Sequence, residues 1–137
     1  MSWEYSENIL VQNSAGKVLS DKLGWEVVFA YNTEVLGENG TLGRKSYKEI
    51  VLTRYLRRAL FDNNDWMTEE YADSAVKTLC AYTASATLMQ INEEKYTMLR
   101  DGIPVQVKKP DGTYHTEKAA VFNFAEPEKS HFLAVEE

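Results

Sequence analysis

The alternation of apolar and polar residues predicts strands in the last third of the chain. Residues 103–108 alternate as a half-buried strand does, a Pro-Asp-Gly turn follows at 110–112, and residues 114–124 return as the partner strand. The apolar run at 130–135 predicts a third strand, so that residues 101–137 form a strand meander. Because so apolar a strand is usually central, we expect it to need a further neighbour, which makes the predicted sheet incomplete.

Helical spacing dominates the residues before this meander. Ser6 is predicted to cap a first helix, which Gly24 ends ahead of a strand at residues 25–30. Three glycines and several polar residues make residues 31–43 a loop. A second helix is expected to begin near Ser46.

Two further helices are predicted after an Asp-Asn-Asn-Asp stop at residues 62–65. Thr68 is the expected cap of a third helix, whose pattern continues to Ile91, and Asn92 is expected to re-cap a last short helix. This order of helix, strand, helices and strand meander predicts an α+β fold, with helices packed on an incomplete mixed sheet and a single domain over residues 1–137.

Composition limits the class of protein. The chain of 137 residues is 44% hydrophobic and 26% charged, as ordinary soluble domains are, and has neither a membrane-length apolar run nor a signal peptide at its start. Cys80 is the single cysteine, which excludes an internal disulfide, and we expect a cytoplasmic protein without a membrane partner. The net charge of −6 argues against nucleic-acid binding by the whole surface but permits a local basic face.

One basic face is apparent on the second predicted helix. Arg54, Arg57 and Arg58 share a side opposite Leu52 and Leu56, where they could contact DNA phosphates without reading sequence. The alternative is a solvated face whose arginines pair with nearby acids, and the negative net charge favours it.

Several short motifs, taken in chain order, resemble the N-terminal portion of the R (restriction and translocation) subunit of type I restriction enzymes. These motifs are Ser-Glu at residues 6–7, Leu-Gly-Trp-Glu at 23–26, Leu-Gly-Arg at 42–44, the segment 92–103 with its Asn92, Tyr96, Leu99 and Asp-Gly-Ile, Val-Phe-Asn-Phe at 121–124, and His-Phe-Leu-Ala-Val at 131–135. Together they cover most of the chain.

The resemblance implies a large subunit in which a nuclease domain precedes two ATP-driven motor domains that pull DNA. The implied fold is a PD-(D/E)xK restriction-endonuclease-like domain, of which this chain would be the N-terminal half. The implied cofactors of the full-length subunit are Mg²⁺ and ATP, and the expectation is that this fragment binds neither. The implied partners are double-stranded DNA and the methyltransferase and specificity subunits, with self-association through the terminal strand as a further expectation.

The resemblance also suggests individual residues. Glu7 matches the helix-opening acid of the family and is a candidate helper at the metal site of the full domain; the alternative is a first-turn carboxylate that stabilises its helix. Arg44 matches a family position and joins Arg54, Arg57 and Arg58 as a candidate DNA-binding residue. No metal ligand is assigned within the fragment.

Two sequence matches to parts of the nuclease signature are interpreted as coincidences. Glu-Glu-Lys at residues 93–95 reads E-x-K and Pro-Asp at 110–111 reads P-D, but their order is reversed relative to the signature. The first is expected at a helix start and the second in a turn. The resemblance implies that the acids of the signature follow the last predicted strand, so we expect them to be absent from this chain and the fragment to be inactive alone.

Two other function classes stay open at this point. One is a small non-catalytic module that binds protein or DNA through the Arg54/Arg57/Arg58 face. The other is a standalone hydrolase, against which two observations count: histidine is scarce, with only His115 and His131, and no catalytic histidine is evident in the sequence for Cys80.

Overall fold

The computed structural model describes residues 11–30 and 33–136. In chain order the described elements are α1 Asn13–Leu23, β1 Glu26–Phe29, α2 Thr53–Asn63, α3 Glu69–Cys80, α4 Leu88–Asp101, β2 Ile103–Lys108, β3 Tyr114–Ala119 and β4 Leu133–Glu136. The α+β class is therefore confirmed. The contacts group the chain into two compact units, residues 1–50 with 131–137 and residues 51–130. The single-domain boundary stays a prediction.

The first unit contains the predicted helix and strand. Helix α1 ends where Gly24 adopts a left-handed backbone (φ 68°), and the Gly24 N–H donates to the Ser20 carbonyl over 3.1 Å. Glycine takes this conformation without the steric cost that a Cβ imposes. Strand β1 follows two residues later, as predicted. Ser6, the predicted cap, lies outside the described residues.

The predicted meander is wrong in its last strand. Strand β4 pairs with β1 in parallel, with Glu26 opposite Leu133 and Phe29 opposite Glu136. Strands β2 and β3 form a separate antiparallel hairpin, so the described residues make two two-stranded sheets and not one mixed sheet. Leu133 and Ala134 are half-buried in this pairing, whereas Val135 is 36% exposed. Nothing local in the sequence specifies which strand β4 joins.

The second unit has the larger hydrophobic core. Leu60, Ile103 and Val105 are its largest fully buried side chains, and the predicted helical stripe places Leu56 beside Leu60. Helix α3 presents small residues, Ala72 and Ala75, to this core, which lets it pack closely with α2 and β2. Thr68 caps α3 as predicted, accepting a hydrogen bond from the Tyr71 N–H.

The predicted start of the second helix and the predicted end of the third are corrected. Helix α2 begins at Thr53 and not near Ser46, because its capping position is Leu52, which has no side-chain oxygen to mark the start. The helical pattern does not continue from α3 into Ile91, since α3 ends at Cys80.

Helix α4 has its own start signal. Thr87 and Gln90 form a capping box, with the Gln90 N–H donating to Thr87 Oγ1 (3.2 Å) and the Thr87 N–H donating to Gln90 Oε1 (2.9 Å). Asn92 lies inside the helix and does not cap it. The predicted end at Asp101 is confirmed.

The β2–β3 hairpin is confirmed, but β3 ends at Ala119 and not at Phe124. Asn64, 6% exposed at the end of α2, binds the backbone just beyond the strand. Its Oδ1 accepts from the Ala120 N–H and its Nδ2 donates to the Ala120 carbonyl, each over 2.9 Å, and Nδ2 also donates to the Leu60 carbonyl. The residues after β3 therefore pair with a side chain of α2 and not with a strand.

Replacing Asn64 with alanine is expected to lower the free energy of unfolding by about 2 kcal/mol, because a part-buried N–H and two carbonyls lose their partner. Urea denaturation of the purified chain measures this loss. The matched control is Asn92→Ala, at an exposed position inside α4, for which we expect no loss. Equal denaturation midpoints for Asn64→Ala and the unmodified chain would contradict this role.

Candidate functional site

Arg57 on α2 is bound to two acids of α3. Its guanidinium donates to the carboxylates of Glu69 and Asp73, which lie one helical turn apart. The Arg57 side chain is 29% exposed, whereas those of Glu69 and Asp73 are 78% and 71% exposed. Two like charges at this spacing repel each other, and the arginine between them relieves the repulsion. Arg57 thus joins two helices of the second unit.

The other two arginines of this face also have local contacts. Arg58 Nε lies 3.8 Å from Asp62, one turn along α2. Arg54 donates to the Tyr55 hydroxyl over 3.1 Å, and its guanidinium lies 5.0 Å from the centre of the Tyr55 ring. The face is therefore partly neutralised by neighbouring acids, as the alternative interpretation expected. Contact of these arginines with DNA stays a prediction.

Arg44 makes a more enclosed ion pair in the first unit. Its Nε and Nη2 donate to the two carboxylate oxygens of Glu34 over 2.7 and 2.9 Å, and the side chains are 16% and 4% exposed. The Arg44 carbonyl accepts from the Gly37 N–H (2.8 Å), and its guanidinium lies 5.2 Å from the centre of the Tyr47 ring. This bidentate ion pair stabilises the loop between β1 and α2. Its role in binding DNA stays a prediction.

A small cavity of about 170 Å³ lies between α1 and β4. Its lining includes Gln12 and Glu136, and Glu136 is only 6% exposed. Neither carboxylate oxygen of Glu136 has a hydrogen-bond partner among the described residues, nor does Gln12 Oε1. Helix α1 approaches closely because Gly16 lacks a Cβ, which would collide with the Glu136 carboxylate and lie 3.2 Å from Val27 Cγ1.

Side-chain contacts join the start of β1 to the start of β4. The rings of Trp25 and Phe132 stack with centroids 5.0 Å apart, and His131 Nε2 lies 2.7 Å from Glu26 Oε2. Both pairs join the start of β1 to the start of β4, where Glu26 is opposite Leu133. Glu7, the candidate metal-site helper, lies outside the described residues, so its role stays a prediction.

The two partial matches to the nuclease signature have structural roles in the second unit. Lys95 donates from Nζ to the Thr78 and Ala81 carbonyls, the latter at the end of α3, while Glu93 and Glu94 are exposed. The three residues lie in the second turn of α4 and not at a helix start, which corrects the prediction.

The Pro-Asp match lies in the hairpin turn, as predicted. The Asp111 carboxylate accepts hydrogen bonds from the Thr113 hydroxyl (2.6 Å) and the Thr113 N–H (2.9 Å). These hydrogen bonds hold the pKa of Asp111 below its usual value. The carboxylate is therefore occupied by its own turn.

Several acids that organise these contacts were missed by the sequence reasoning. The positions of Glu69 and Asp73 could have predicted an ion pair, because two acids four residues apart on one helix face repel each other unless a cation lies beside them. Glu34 and Glu136 carry none, because each becomes important only through a residue distant in sequence. Among residues 11–30 and 33–136, no three His, Cys, Asp or Glu side chains form a group that could hold a metal. None of the described helices is long and apolar enough to cross a membrane.

These observations define an α+β chain with a helix-led parallel strand pair and a separate helix–hairpin unit. Comparison with known families gives a match to the family described as "Type I restriction enzyme R protein N terminus", over residues 4–137. The chain belongs to this family, as its motifs suggested. Comparisons with curated proteins and with solved structures give no match.

Proposed function

We propose that this chain is the scaffold part of the nuclease domain in the R subunit of a type I restriction enzyme. The observation that supports the proposal is the family match over residues 4–137, which spans both units. The proposed fold of the complete domain is the PD-(D/E)xK restriction-endonuclease-like fold. The proposed partners are double-stranded DNA and the methyltransferase and specificity subunits.

In the complete subunit, Mg²⁺ would supply charge neutralisation at the scissile phosphate and ATP would drive translocation. The described residues do not fit a magnesium site, because they bring together no group of three candidate ligands. The sequence also has no G-x-x-x-x-G-K-[ST] loop for ATP phosphates. We therefore derive no catalytic step within this chain and expect it not to cleave DNA by itself.

The test compares the isolated chain with a complete complex. The purified chain, incubated with supercoiled plasmid and Mg²⁺, is expected to leave the plasmid intact. An R subunit that carries these residues, combined with its methyltransferase and specificity subunits, is expected to cleave the same plasmid only when both ATP and Mg²⁺ are supplied. Robust nicking by the isolated chain that disappears in a Glu93→Gln variant would overturn the scaffold role.

Glu7 supplies a second readout in the complete complex. A Glu7→Gln variant removes the charge but keeps the shape of the side chain, so cleavage is expected to fall while DNA-stimulated ATP hydrolysis continues. A Glu7→Asp variant, which retains the carboxylate, serves as the control. Equal cleavage by the glutamine variant and the unmodified complex would assign Glu7 to helix stability alone.

A further inference from the structure

The outer face of the β2–β3 hairpin carries lysines without acids. We call this surface the hairpin face. Its members are the outward side chains of three cross-strand pairs, and all six are exposed: Pro104 opposite Lys118, Gln106 opposite Thr116, and Lys108 opposite Tyr114. The hairpin face therefore has two cations and no anion.

The core fixes which side chains point outward. Ile103, Val105 and Ala119 are at most 1% exposed and occupy the inner side of the same strands. Because successive strand residues point to opposite sides, a slip of one residue would expose these three and bury both lysines. The end of β2 is held in place where the Lys108 N–H donates to the Tyr71 hydroxyl of α3 over 3.2 Å. The buried inner residues and the Tyr71 contact therefore fix which side chains the hairpin face presents to solvent.

The lysines on and beside the hairpin face differ from the α2 arginines in their ion pairs. Among the described residues, Lys108, Lys118 and the adjacent Lys109 make no ion pair, whereas Arg57 and Arg58 on α2 both do. Glu117 points to the inner side, where its carboxylate lies 2.8 Å from His115 Nε2.

Glu94 of α4 lines a cavity together with Pro104 and Lys118, and two further acids near the hairpin, Asp101 and Asp111, have other partners. Asp101 binds the Arg100 guanidinium at 2.7 and 2.9 Å, and this contact, with a smaller contribution from the charge of Lys118, lowers the pKa of Asp101. Asp111 in the turn accepts two hydrogen bonds from Thr113.

The spacing of the lysines suits a chain of phosphates. Lys118 lies opposite Pro104 on the neighbouring strand, and Pro104 is four residues from Lys108. The two lysines are therefore about 14 Å apart along the strand direction, at about 3.4 Å per residue. A DNA strand carries one phosphate per about 3.4 Å along the helix axis, so this distance spans about four nucleotides. Between the two lysines, Gln106 Nε2 donates to Thr116 Oγ1 over 2.8 Å, and both side chains retain further hydrogen-bonding capacity.

We propose that the hairpin face binds the phosphate backbone of double-stranded DNA, without reading its sequence. This inference rests on the proposed nuclease-domain function, and it moves the DNA contact from the α2 arginines to the hairpin. Lysine ammonium groups bind phosphates as point charges and release counterions, which gives affinity independent of base sequence. A local positive face is consistent with the net charge of −6, because binding depends on the charges that face the DNA.

The test measures binding of a short fluorescent DNA duplex to the purified full-length chain across a series of salt concentrations. The variant Lys108→Gln/Lys118→Gln is expected to bind about tenfold more weakly at physiological salt, and the slope of log affinity against log salt is expected to fall by about 2. The matched control is Lys17→Gln/Lys22→Gln, which removes the same charge from two exposed positions of α1. Circular dichroism and urea denaturation of each variant exclude loss of folding.

Loss of affinity in the hairpin variant with retention in the control supports the inference. Equal effects of the two variants, or no duplex binding by the unmodified chain, would overturn it. It would also be overturned if the hairpin variant binds DNA normally but no longer co-purifies with the methyltransferase and specificity subunits, which would indicate an acidic protein partner. Plasmid cleavage by the complete complex tests the proposed function separately, because that function can hold even if the hairpin face does not touch DNA.

Discussion

Replacing Gly102 with alanine is expected to lower the free energy of unfolding by about 4 kcal/mol. Gly102 joins α4 to β2 with φ 104° and ψ 154°, a backbone conformation that only glycine adopts readily. A Cβ at this position would lie 2.8 Å from Lys118 Cβ and 3.2 Å from the Ala119 carbonyl oxygen. The strained backbone and the collision with β3 therefore act together. Urea denaturation followed by circular dichroism measures the loss.

The control for Gly102→Ala is Gly112→Ala, in the hairpin turn. Gly112 also has a positive φ, 88°, but a Cβ there would meet no atom within 4 Å. This variant thus isolates the backbone cost, which we expect to be about 1 kcal/mol. If the two variants lose equal stability, the contact of Gly102 with β3 contributes nothing, and the explanation is wrong.

The elements that the sequence predicted correctly are those with a local chemical signal. Thr68 is followed by two acids and a helical apolar stripe, and α3 begins one residue after it. Gly24 ends α1 because glycine accepts the left-handed conformation there. The hairpin turn at residues 110–112 and the alternation at 103–108 likewise depend on neighbours within a few residues.

The elements that were wrong depend on distant partners or lack such a signal. The pairing of β4 with β1 joins residues about a hundred positions apart, and the apolar run of β4 would fit any buried strand. Helix α2 has leucine at its capping position, so its start is decided by the burial of Leu56 and Leu60 and not by a cap. The Thr87–Gln90 capping box was visible in the sequence, but the continuous apolar pattern around it hid the break after α3.

The candidate site shows the same limit for charged residues. Composition and helical spacing placed three arginines on one face of α2, which they do share, but spacing within one helix does not reveal the acids of another. Arg57 contacts Glu69 and Asp73 only because α2 and α3 pack together. The lysines of the hairpin face were not predicted as a group, since they are separated along the chain and brought together by strand pairing. Cross-strand register is therefore the information that the sequence alone did not supply.

Arg44 is one of the four arginines predicted to bind DNA, and its removal separates a structural role from a binding role. Arg44→Ala is expected to lower the free energy of unfolding by about 3 kcal/mol, because it leaves the Glu34 carboxylate, 4% exposed, buried without its cation. Arg44→Lys keeps the charge but cannot donate two parallel hydrogen bonds, so an intermediate loss is expected. Urea denaturation of the purified chain measures both.

A double-mutant cycle with Glu34 decides how the Arg44 result is explained. If the ion pair is the cause, Glu34→Ala/Arg44→Ala should lose clearly less stability than the two single variants summed, since the double variant leaves no unpaired buried charge. Duplex affinity, measured at a temperature where each variant is fully folded, is expected to match that of the unmodified chain. Unchanged stability in Arg44→Ala together with weaker DNA binding would reverse the assignment and make Arg44 a DNA contact, because a side chain held by Glu34 cannot be lost without cost to the loop that the pair holds together.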